Sequence, residues 1–281
     1  MTLVMGILNV TPDSFSDGGR WHAADAAVAK GLELAREGAD IVDVGGESTR
    51  PGAERVEPGE EVSRVLPVIE ALAGEGLTVS IDTMRARTAR AAVDAGARIV
   101  NDVSGGLADA DMARIVAELE CDYVAMHWRA HSTRMDAQAH YGDVVSEVRD
   151  ELAARVDALV AAGIEPARIV LDPGLGFSKV GTSNWELLAH LEQLRAVAPS
   201  GRILVGASRK RFLGATITRD DREGDGQAKP APARIRDHAT TAVTTMCAQQ
   251  GVWAVRVHDA SAARDAVQVV SAWQNAREGQ R

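Results

Sequence analysis

Short apolar runs alternate with Ala-rich, amphipathic stretches along the whole chain. Each run is continuously apolar, as expected for strands that are buried on both faces of a parallel sheet. The runs occupy residues 4–10, 41–44, 78–81, 99–100, 123–126, 169–171, 203–205 and 254–257. The pattern therefore predicts eight β-strands.

Helical periodicity fills most of the intervals between these strands. The predicted helices cover residues 23–37, 60–73, 88–95, 141–162, 184–197 and 261–274, and a further helix begins near residue 235. Several end at a glycine, as helix C-termini prefer: Gly38, Gly74, Gly96 and Gly163. Eight strand–helix units predict a single α/β domain over residues 1–281, folded as a closed (β/α)₈ TIM barrel. An open doubly wound sheet is the alternative that the pattern allows.

Two long connections interrupt this alternation of predicted strands and helices. Residues 216–233 are charged and rich in Gly and Pro, and they have no apolar face. We expect a mobile surface loop there, with a lid over a binding site as the alternative. Residues 126–141 include His127, His131 and His140, which do not form a compact metal-ligand set.

Composition excludes several classes of protein. With a net charge of -9 the chain is a poor candidate for general binding to nucleic acid or anionic membranes. No apolar run approaches the roughly 20 residues of a membrane span, and the N-terminus lacks the basic start of an export signal. Cys121 and Cys247 lie in apolar stretches, which predicts buried thiols in a reducing cytoplasm.

Polar or ionisable residues close every predicted strand. In a barrel the C-terminal ends of the strands meet on one face, where catalytic groups are placed. In chain order these ends carry Asn9 to Asp13, Asp43 to Arg50, Asp82 and Thr83, Asn101 and Asp102, His127, Asp172, Ser208 to Lys210, and Arg256 to His258. One polar strand end is weak evidence because it can cap the next helix, but eight together indicate a binding site.

The residue types at these ends indicate the class of ligand. Carboxylate and amide groups, which complement a planar heterocycle rich in N–H donors, are supplied by Asp82, Asn101 and Asp172. Cationic donors of the kind that hold phosphates are supplied by Arg50, Lys210, Arg256 and His258. We therefore expect a substrate with a flat polar ring and a phosphorylated arm. The sequence has no P-loop motif and no full dinucleotide-binding glycine motif.

Seven motifs at the strand ends resemble those of the dihydropteroate synthase family. They are LNVTPDSFSDGG (8–19), DVGGESTRPGA (43–53), SIDT (80–83), VNDVSGG (100–106), LDPGLGFSK (171–179), GASRKRFLG (206–214) and RVHD (256–259). The resemblance covers essentially the whole chain and implies a pterin-binding TIM barrel. It also implies a reaction of folate biosynthesis, in which 6-hydroxymethyl-7,8-dihydropterin pyrophosphate and 4-aminobenzoate give 7,8-dihydropteroate and pyrophosphate with Mg²⁺ as cofactor.

The resemblance further implies individual roles at matching positions. The pterin would be held by Asp82, Asn101, Met126, Asp172, Lys210 and Arg256. Among these, the residues implied to be catalytic are Asp172, Lys210 and Arg256. The pyrophosphate would be bound by Asn9, Thr49, Arg256 and His258, with Asn9 at the magnesium ion and Asp13 as a further candidate there. The 4-aminobenzoate side would consist of Phe15, Arg50, Pro51, Phe177, Ser208 and Lys210.

The implied partners are the two small-molecule substrates, sulfonamides as competitors of 4-aminobenzoate, and a second copy of the chain. An apolar face over residues 239–247 is compatible with a homodimer through the C-terminal helices, and packing of this face against the barrel is the alternative. Two other functions remain as alternatives: a pterin-binding methyltransferase and a pterin-binding paralogue without activity. A methyltransferase needs no diphosphate site, so the 9–19 and 208–210 segments argue against it. A silent paralogue would show the loss of a strand-end residue, and none is lost here.

Overall fold

Eight parallel strands form the centre of the molecule. The structure is a computed structural model that describes residues 1–11, 19–47, 56–129, 139–217 and 232–279. The strands are β1 (Leu3–Asn9), β2 (Ile41–Gly45), β3 (Thr78–Asp82), β4 (Ile99–Asp102), β5 (Asp122–Met126), β6 (Ile169–Asp172), β7 (Leu204–Val205) and β8 (Ala254–Val257). All eight predicted strands are confirmed.

The strands pair in the order β6-β5-β4-β3-β2-β1-β8-β7, and each pairing is parallel. The two ends of this sheet meet where Leu171 of β6 pairs with Ile203, just before β7. There the Leu171 N–H donates to the Arg202 carbonyl at 3.1 Å. The sheet thus closes on itself, so the predicted TIM barrel is confirmed and the open doubly wound alternative is wrong.

Helices surround this barrel. They are α1 (Gly19–Arg36), α2 (Pro58–Gly74), α3 (Ala86–Asp94), α4 (Met112–Glu118), α5 (Val144–Ala161), α6 (Ser183–Ala189), α7 (Leu191–Arg195), α8 (Arg211–Thr216), α9 (Asp237–Gln249) and α10 (Ala260–Glu278). Helix α5 begins later than the sequence predicted because Asp143 caps it, accepting from the N–H groups of Val145 and Ser146. The predicted 184–197 helix is divided at His190 into α6 and α7.

The glycines expected at helix ends behave in two ways. Gly38, Gly96 and Gly163 follow their helices with φ between 101° and 111°, a left-handed conformation that glycine adopts without strain. Gly74 instead lies inside α2, and Gly76 takes the left-handed position with φ 81°. The sequence prediction placed the left-handed glycine of this helix end two residues early.

The core has two layers. The larger layer packs the outer face of the barrel against the helices. The smaller layer fills the barrel interior, and it takes one residue from each of seven strands: Met5, Ile41, Ile99, Val124, Val170, Leu204 and Ala254. Because side chains in a strand alternate between faces, the residue two positions further along each strand also points into the barrel.

That alternation determines which side chains form the floor of the barrel mouth. Two residues beyond the interior apolar layer stand Ile7, Asp43, Asn101, Met126, Asp172, Gly206 and Arg256. On four of these seven strands, the side chain inside the barrel thus changes from apolar to polar within two residues, at the C-terminal end. Such an arrangement buries the apolar plug and presents polar groups to the mouth.

The structure describes the helices and both cysteines, on which the sequence analysis made predictions. Among the described residues, every helix is too short or too polar to cross a lipid bilayer. Cys121 and Cys247 are both buried and unpaired, and burial raises the pKa of their thiols to about 11 and about 12. The proposed mobile loop lies almost entirely outside the described residues, since 218–231 are not among them.

Candidate active site

The guanidinium of Arg256 joins two carboxylates in the mouth of the barrel. Its Nε lies 2.6 Å from Asp43 Oδ2 and its Nη2 lies 2.7 Å from Asp82 Oδ2. Asp43 is fully buried and Asp82 is 6% exposed. An arginine is suited to this place because its planar fork can serve two carboxylates while keeping its charge.

Buried oxygen atoms without a hydrogen-bond partner belong to this cluster and to the neighbouring Ser80. Asn101 donates from Nδ2 to Asp43 Oδ2 at 3.1 Å. The second oxygens of the two carboxylates, Asp43 Oδ1 and Asp82 Oδ1, have no hydrogen-bond partner among the described residues, nor has Ser80 Oγ. A buried acceptor that stays unpaired costs free energy, so these atoms indicate a ligand that donates hydrogen bonds.

Charge in this cluster is balanced by neighbours. Burial raises the pKa of the Asp82 carboxyl to about 7, Arg256 opposes that rise, and Asp43 adds to it. Burial disfavours the Arg256 cation, but the two carboxylates outweigh this and hold its pKa above the usual value. Bringing a ligand's N–H donors to Asp82 would favour its ionised form.

Asp172, Lys210 and Arg256 surround Gly206, on β7's exit. A methyl group added there would lie 3.8 Å from Lys210 Nζ, 3.9 Å from Asp172 Oδ2 and 3.9 Å from Arg256 Cβ. Burial raises the pKa of Asp172, and Lys210 opposes the rise. Burial likewise lowers the pKa of Lys210 to about 8, and Asp172 opposes the fall. The three residues predicted to be catalytic therefore meet around one point.

The β6–α6 connection forms one wall. Asp172 Oδ1 accepts from the Gly174 N–H at 2.7 Å, and Met126 lies across the turn, with its Cγ 3.3 Å from where a Gly174 side chain would begin. Lys210 donates to the Leu175 carbonyl, and its Nζ lies 4.7 Å from the centre of the Phe177 ring. The structure thus brings Met126 and Phe177, both predicted site residues, against the Asp172–Lys210 pair.

Ser208 and His258 meet next to this wall, just after β7 and β8. Ser208 Oγ lies 2.9 Å from His258 Nδ1 and accepts from the His258 backbone N–H at 3.2 Å. Between Ser208 and Lys210, Arg209 has a φ of 57°, and its guanidinium binds Asp237 of α9 at 2.7 and 2.9 Å. This left-handed residue turns its two neighbours toward the site while α9 anchors it.

Asn9 ends β1 beside the carboxylate cluster. A methyl group added at Gly45 would lie 3.8 Å from Asn9 Oδ1 and 3.7 Å from Asp82 Oδ2. These oxygens are the kind of ligand that Mg²⁺ prefers. Among the described residues, no group of three His, Cys, Asp or Glu side chains could hold a metal unaided. Asn9 Oδ1 and the Asp82 carboxylate are the described oxygens near Gly45 that could serve as magnesium ligands.

Five predicted site residues lie outside the described residues: Asp13, Phe15, Thr49, Arg50 and Pro51. The two ends of the 48–55 segment are nevertheless described. Arg85 Nη1 lies 2.6 Å from Glu47 Oε2, its Nη2 donates to the Val56 carbonyl at 2.5 Å, and buried Glu61 binds the same guanidinium at 2.8 Å. Arg85 thus connects Glu47 and Val56, the described residues on either side of that segment.

The sequence prediction gave no role to Asp43. It was included as the first residue of the β2 strand end, but the roles implied by the family resemblance did not extend to it. A charged residue two positions after Ile41, in an otherwise apolar buried strand, is the signal that could have identified it.

Comparisons with known proteins agree with this geometry. Residues 5–258 match the model of the pterin binding enzyme family. The dihydropteroate synthase of Mycobacterium leprae is 54% identical over 97% of this chain and 94% of its own length.

Solved structures give the same result. The Xanthomonas albilineans dihydropteroate synthase with 4-aminobenzoic acid has a TM-score of 0.85 and 43% identity, covering 97% of this chain and 93% of that one. The Burkholderia cenocepacia dihydropteroate synthase complexed with 7,8-dihydropteroate has a TM-score of 0.86 and 38% identity, covering 100% of this chain and 94% of that one. The chain belongs to the dihydropteroate synthase family of pterin-binding enzymes.

Proposed function

We propose that this chain is a transferase of folate biosynthesis that condenses 6-hydroxymethyl-7,8-dihydropterin pyrophosphate with 4-aminobenzoate. The products are 7,8-dihydropteroate and pyrophosphate. The observation that carries this proposal is the buried Asp43–Arg256–Asp82 cluster, whose unpaired carboxylate oxygens face a site with further polar groups. A pterin ring offers several N–H donors on one plane, which is what these oxygens lack.

The pterin is held by Asp82, Asn101, Met126, Asp172, Lys210 and Arg256. The carboxylates of Asp82 and Asp172 accept from ring N–H groups, and Lys210 donates to a ring acceptor. Met126 packs against the ring, and Arg256 lies over its face as well as toward the diphosphate. We add Asp43 to this set as the residue that holds Arg256 and Asn101 in place.

The diphosphate is bound on the side of Asn9, Thr49, Arg256 and His258. Mg²⁺ would be held by Asn9, with Asp13 as a further candidate, and when bound it neutralises charge on the leaving group. His258 donates to phosphate oxygens, and Arg256 carries a fixed positive charge. These residues favour departure of pyrophosphate by stabilising the negative charge that it takes away.

The amine is positioned on the side of Phe15, Arg50, Pro51, Phe177, Ser208 and Lys210. The bond between the pterin methylene carbon and the diphosphate oxygen breaks, a bond from the arylamine nitrogen to that carbon forms, and the amine loses one proton. Positive charge that develops on the methylene is stabilised by the ring and by the Asp172 carboxylate. Orientation of a weak nucleophile is the main contribution of the protein, and we assign no general base.

Sulfonamides are the proposed inhibitors, because they would occupy the 4-aminobenzoate side. We also propose that the protein works in the cytoplasm, where its two buried thiols stay reduced. A homodimer through α9 and α10 completes the proposal. Its support is a set of large apolar side chains that these helices expose: Met246, Val269 and Trp273, at 50%, 66% and 48%.

Growth of a bacterial strain that lacks its own dihydropteroate synthase tests this function. The wild-type chain should restore growth without added products of folate metabolism. An Arg256→Met variant should fail, while Arg114→Met, which alters an exposed surface arginine on α4, should succeed at the same protein level. Failure of the wild-type chain, or rescue by Arg256→Met, would contradict the proposal.

A further inference from the structure

Lys179 is a buried lysine beside the site that has no role in the function proposed above. It ends the LDPGLGFSK motif and is only 5% exposed. Its ammonium donates to His127 Nδ1 at 2.9 Å and to the Phe177 carbonyl at 3.0 Å. A lysine is rarely buried unless its charge is compensated, so this placement requires a physical reason.

His127 connects this ammonium to the protein surface. Its ring is 3% exposed, and its Nε2 lies 2.9 Å from Glu151 Oε2 on α5. Because an ammonium can only donate, Nδ1 of His127 must accept, and the ring proton is then on Nε2 and donated to Glu151. Burial and the Lys179 charge lower the pKa of His127 to about 4, which agrees with a neutral ring.

The charged groups around Lys179 come from four elements. Burial lowers the pKa of Lys179 to about 7, whereas Asp172 of β6 and Glu151 of α5 raise it. Lys210 on the β7–α8 turn and Arg129 after β5 lower it further. The hydrogen bond from His127 lowers the pKa of Glu151 to about 2. Glu151, which lies at the surface end of this series of hydrogen bonds, therefore keeps its negative charge.

Lys179 lies on the inside of a tight turn. Ser178 has a φ of 48°, in the left-handed region that a non-glycine residue adopts at a cost, and it is buried. Asn184 of α6 spans the same turn, since its Oδ1 accepts from the Gly176 N–H at 2.7 Å and its Nδ2 donates to the Lys179 carbonyl at 3.3 Å. The turn therefore depends on side-chain contacts, and the Lys179 ammonium supplies the one at the Phe177 carbonyl.

We propose that Lys179 is a positioning residue for 4-aminobenzoate, acting through the Phe177 carbonyl and the His127–Glu151 pair. By holding that carbonyl against the end of β5, it fixes the turn that presents the Phe177 ring next to the Lys210 ammonium. This role rests on the proposed function, which assigns Phe177 to the 4-aminobenzoate side. It adds to that function three residues that do not touch the substrate, namely Lys179, His127 and Glu151.

Steady-state kinetics of Lys179→Met test this role. Methionine replaces the aliphatic part of the side chain but lacks the ammonium, so it cannot donate to His127 or Phe177. The KM for 4-aminobenzoate should rise by about tenfold or more, the scale of a lost charge-assisted hydrogen bond, while the KM for the pterin pyrophosphate changes less than about threefold. The matched control is Lys30→Met, an exposed lysine on α1 that binds Glu33 at 3.0 Å, and both KM values should stay unchanged in it.

Two substitutions of His127 give a graded test if Lys179→Met does not fold. In His127→Asn the amide oxygen can still accept from Lys179, whereas His127→Leu removes every polar contact. The KM for 4-aminobenzoate should rise much more in His127→Leu than in His127→Asn. A purely structural role would lower the melting temperature in both without this selective change of one KM.

The outcomes separate this inference from the function on which it rests. A wild-type chain that forms no dihydropteroate overturns the proposed function itself. An active wild type whose Lys179→Met and His127→Leu variants fold and keep the KM for 4-aminobenzoate, or raise both KM values equally, overturns the positioning role alone.

Discussion

Arg256 shows how one side chain can determine the electrostatics of the barrel mouth. Without it, Asp43 and Asp82 would be two buried carboxylates with no compensating cation, an arrangement that proteins avoid by taking up a proton. With it, one oxygen of each carboxylate is paired and the other is left for a ligand. The same residue thus stabilises the site and keeps its acceptors available.

Asp43 should matter for pterin binding although the sequence predicted no individual role for it. Asp43→Asn would remove the negative charge that holds Arg256 and would replace one acceptor oxygen with an NH₂ donor, so affinity for the pterin pyrophosphate should fall about tenfold. Isothermal titration calorimetry measures this directly. Asp25→Asn, on the exposed face of α1, is the control and should bind as the wild type does. Equal affinity in both variants would limit Asp43 to a role in stability.

Deprotonation of Lys210 should cause a decline of kcat/KM at alkaline pH. Burial lowers its pKa to about 8 in the free protein, so its positive charge is lost as the pH rises through that value. Since the charged form is the proposed donor to the pterin, kcat/KM for the pterin pyrophosphate should decline above pH 8. The profile of Lys210→Met should lack this decline and lie far lower. A wild-type profile that is flat to pH 10 would contradict the role.

At the scale of elements, strands were predicted better than helices. Buried parallel strands give continuous apolar runs, and all eight were recognisable from the sequence. The short helices α4 and α8 were missed because seven or six residues hold too few turns for a clear period. Helix ends at Gly74 and Asp143 were misplaced because they depend on local caps rather than on periodicity.

The β6–α6 connection provides a test at this scale. Gly174 has a φ of 66°, and a methyl group there would lie 2.4 Å from the His127 carbonyl oxygen. Gly181 has a φ of 55°, but no atom lies within 4 Å of the same position. Gly181→Ala should therefore cost roughly 1–2 kcal/mol of unfolding free energy from its backbone conformation alone.

Gly174→Ala should cost at least about 3 kcal/mol, because the added methyl group would clash with the backbone of His127, just after β5. Activity should also fall, since the turn carries Phe177 beside Lys210. Denaturant unfolding with an activity assay compares the two variants. Equal losses of stability would show that the close approach to His127 is not a constraint.

At the scale of the whole molecule, the barrel explains why dispersed motifs meet. Asn9, Asp82, Asn101, Asp172 and Arg256 are spread over most of the chain, and parallel closure brings their strand ends to one face. Their convergence was predictable from the strand count. The pairing of Arg256 with Asp43 and Asp82 was not, because it depends on the register across three strands and on which residues point inward.

Association of two chains should depend on the exposed side chains of α9 and α10. Val269→Glu would place a charge within the apolar surface and should convert a dimer into a monomer of 29.7 kDa. Sedimentation velocity distinguishes the two species. Val160→Glu, at a less exposed valine of α5, is the control and should leave association unchanged. Dimers that persist in Val269→Glu would place the interface elsewhere.

The central claim is the condensation reaction, and formation of labelled 7,8-dihydropteroate tests it most directly. The purified chain is mixed with the pterin pyrophosphate and labelled 4-aminobenzoate, with and without Mg²⁺, and product and released pyrophosphate are both counted. The account predicts equal amounts of the two, formed only with Mg²⁺. Binding of the pterin pyrophosphate without any product would contradict it and would identify a pterin-binding barrel that has lost its activity.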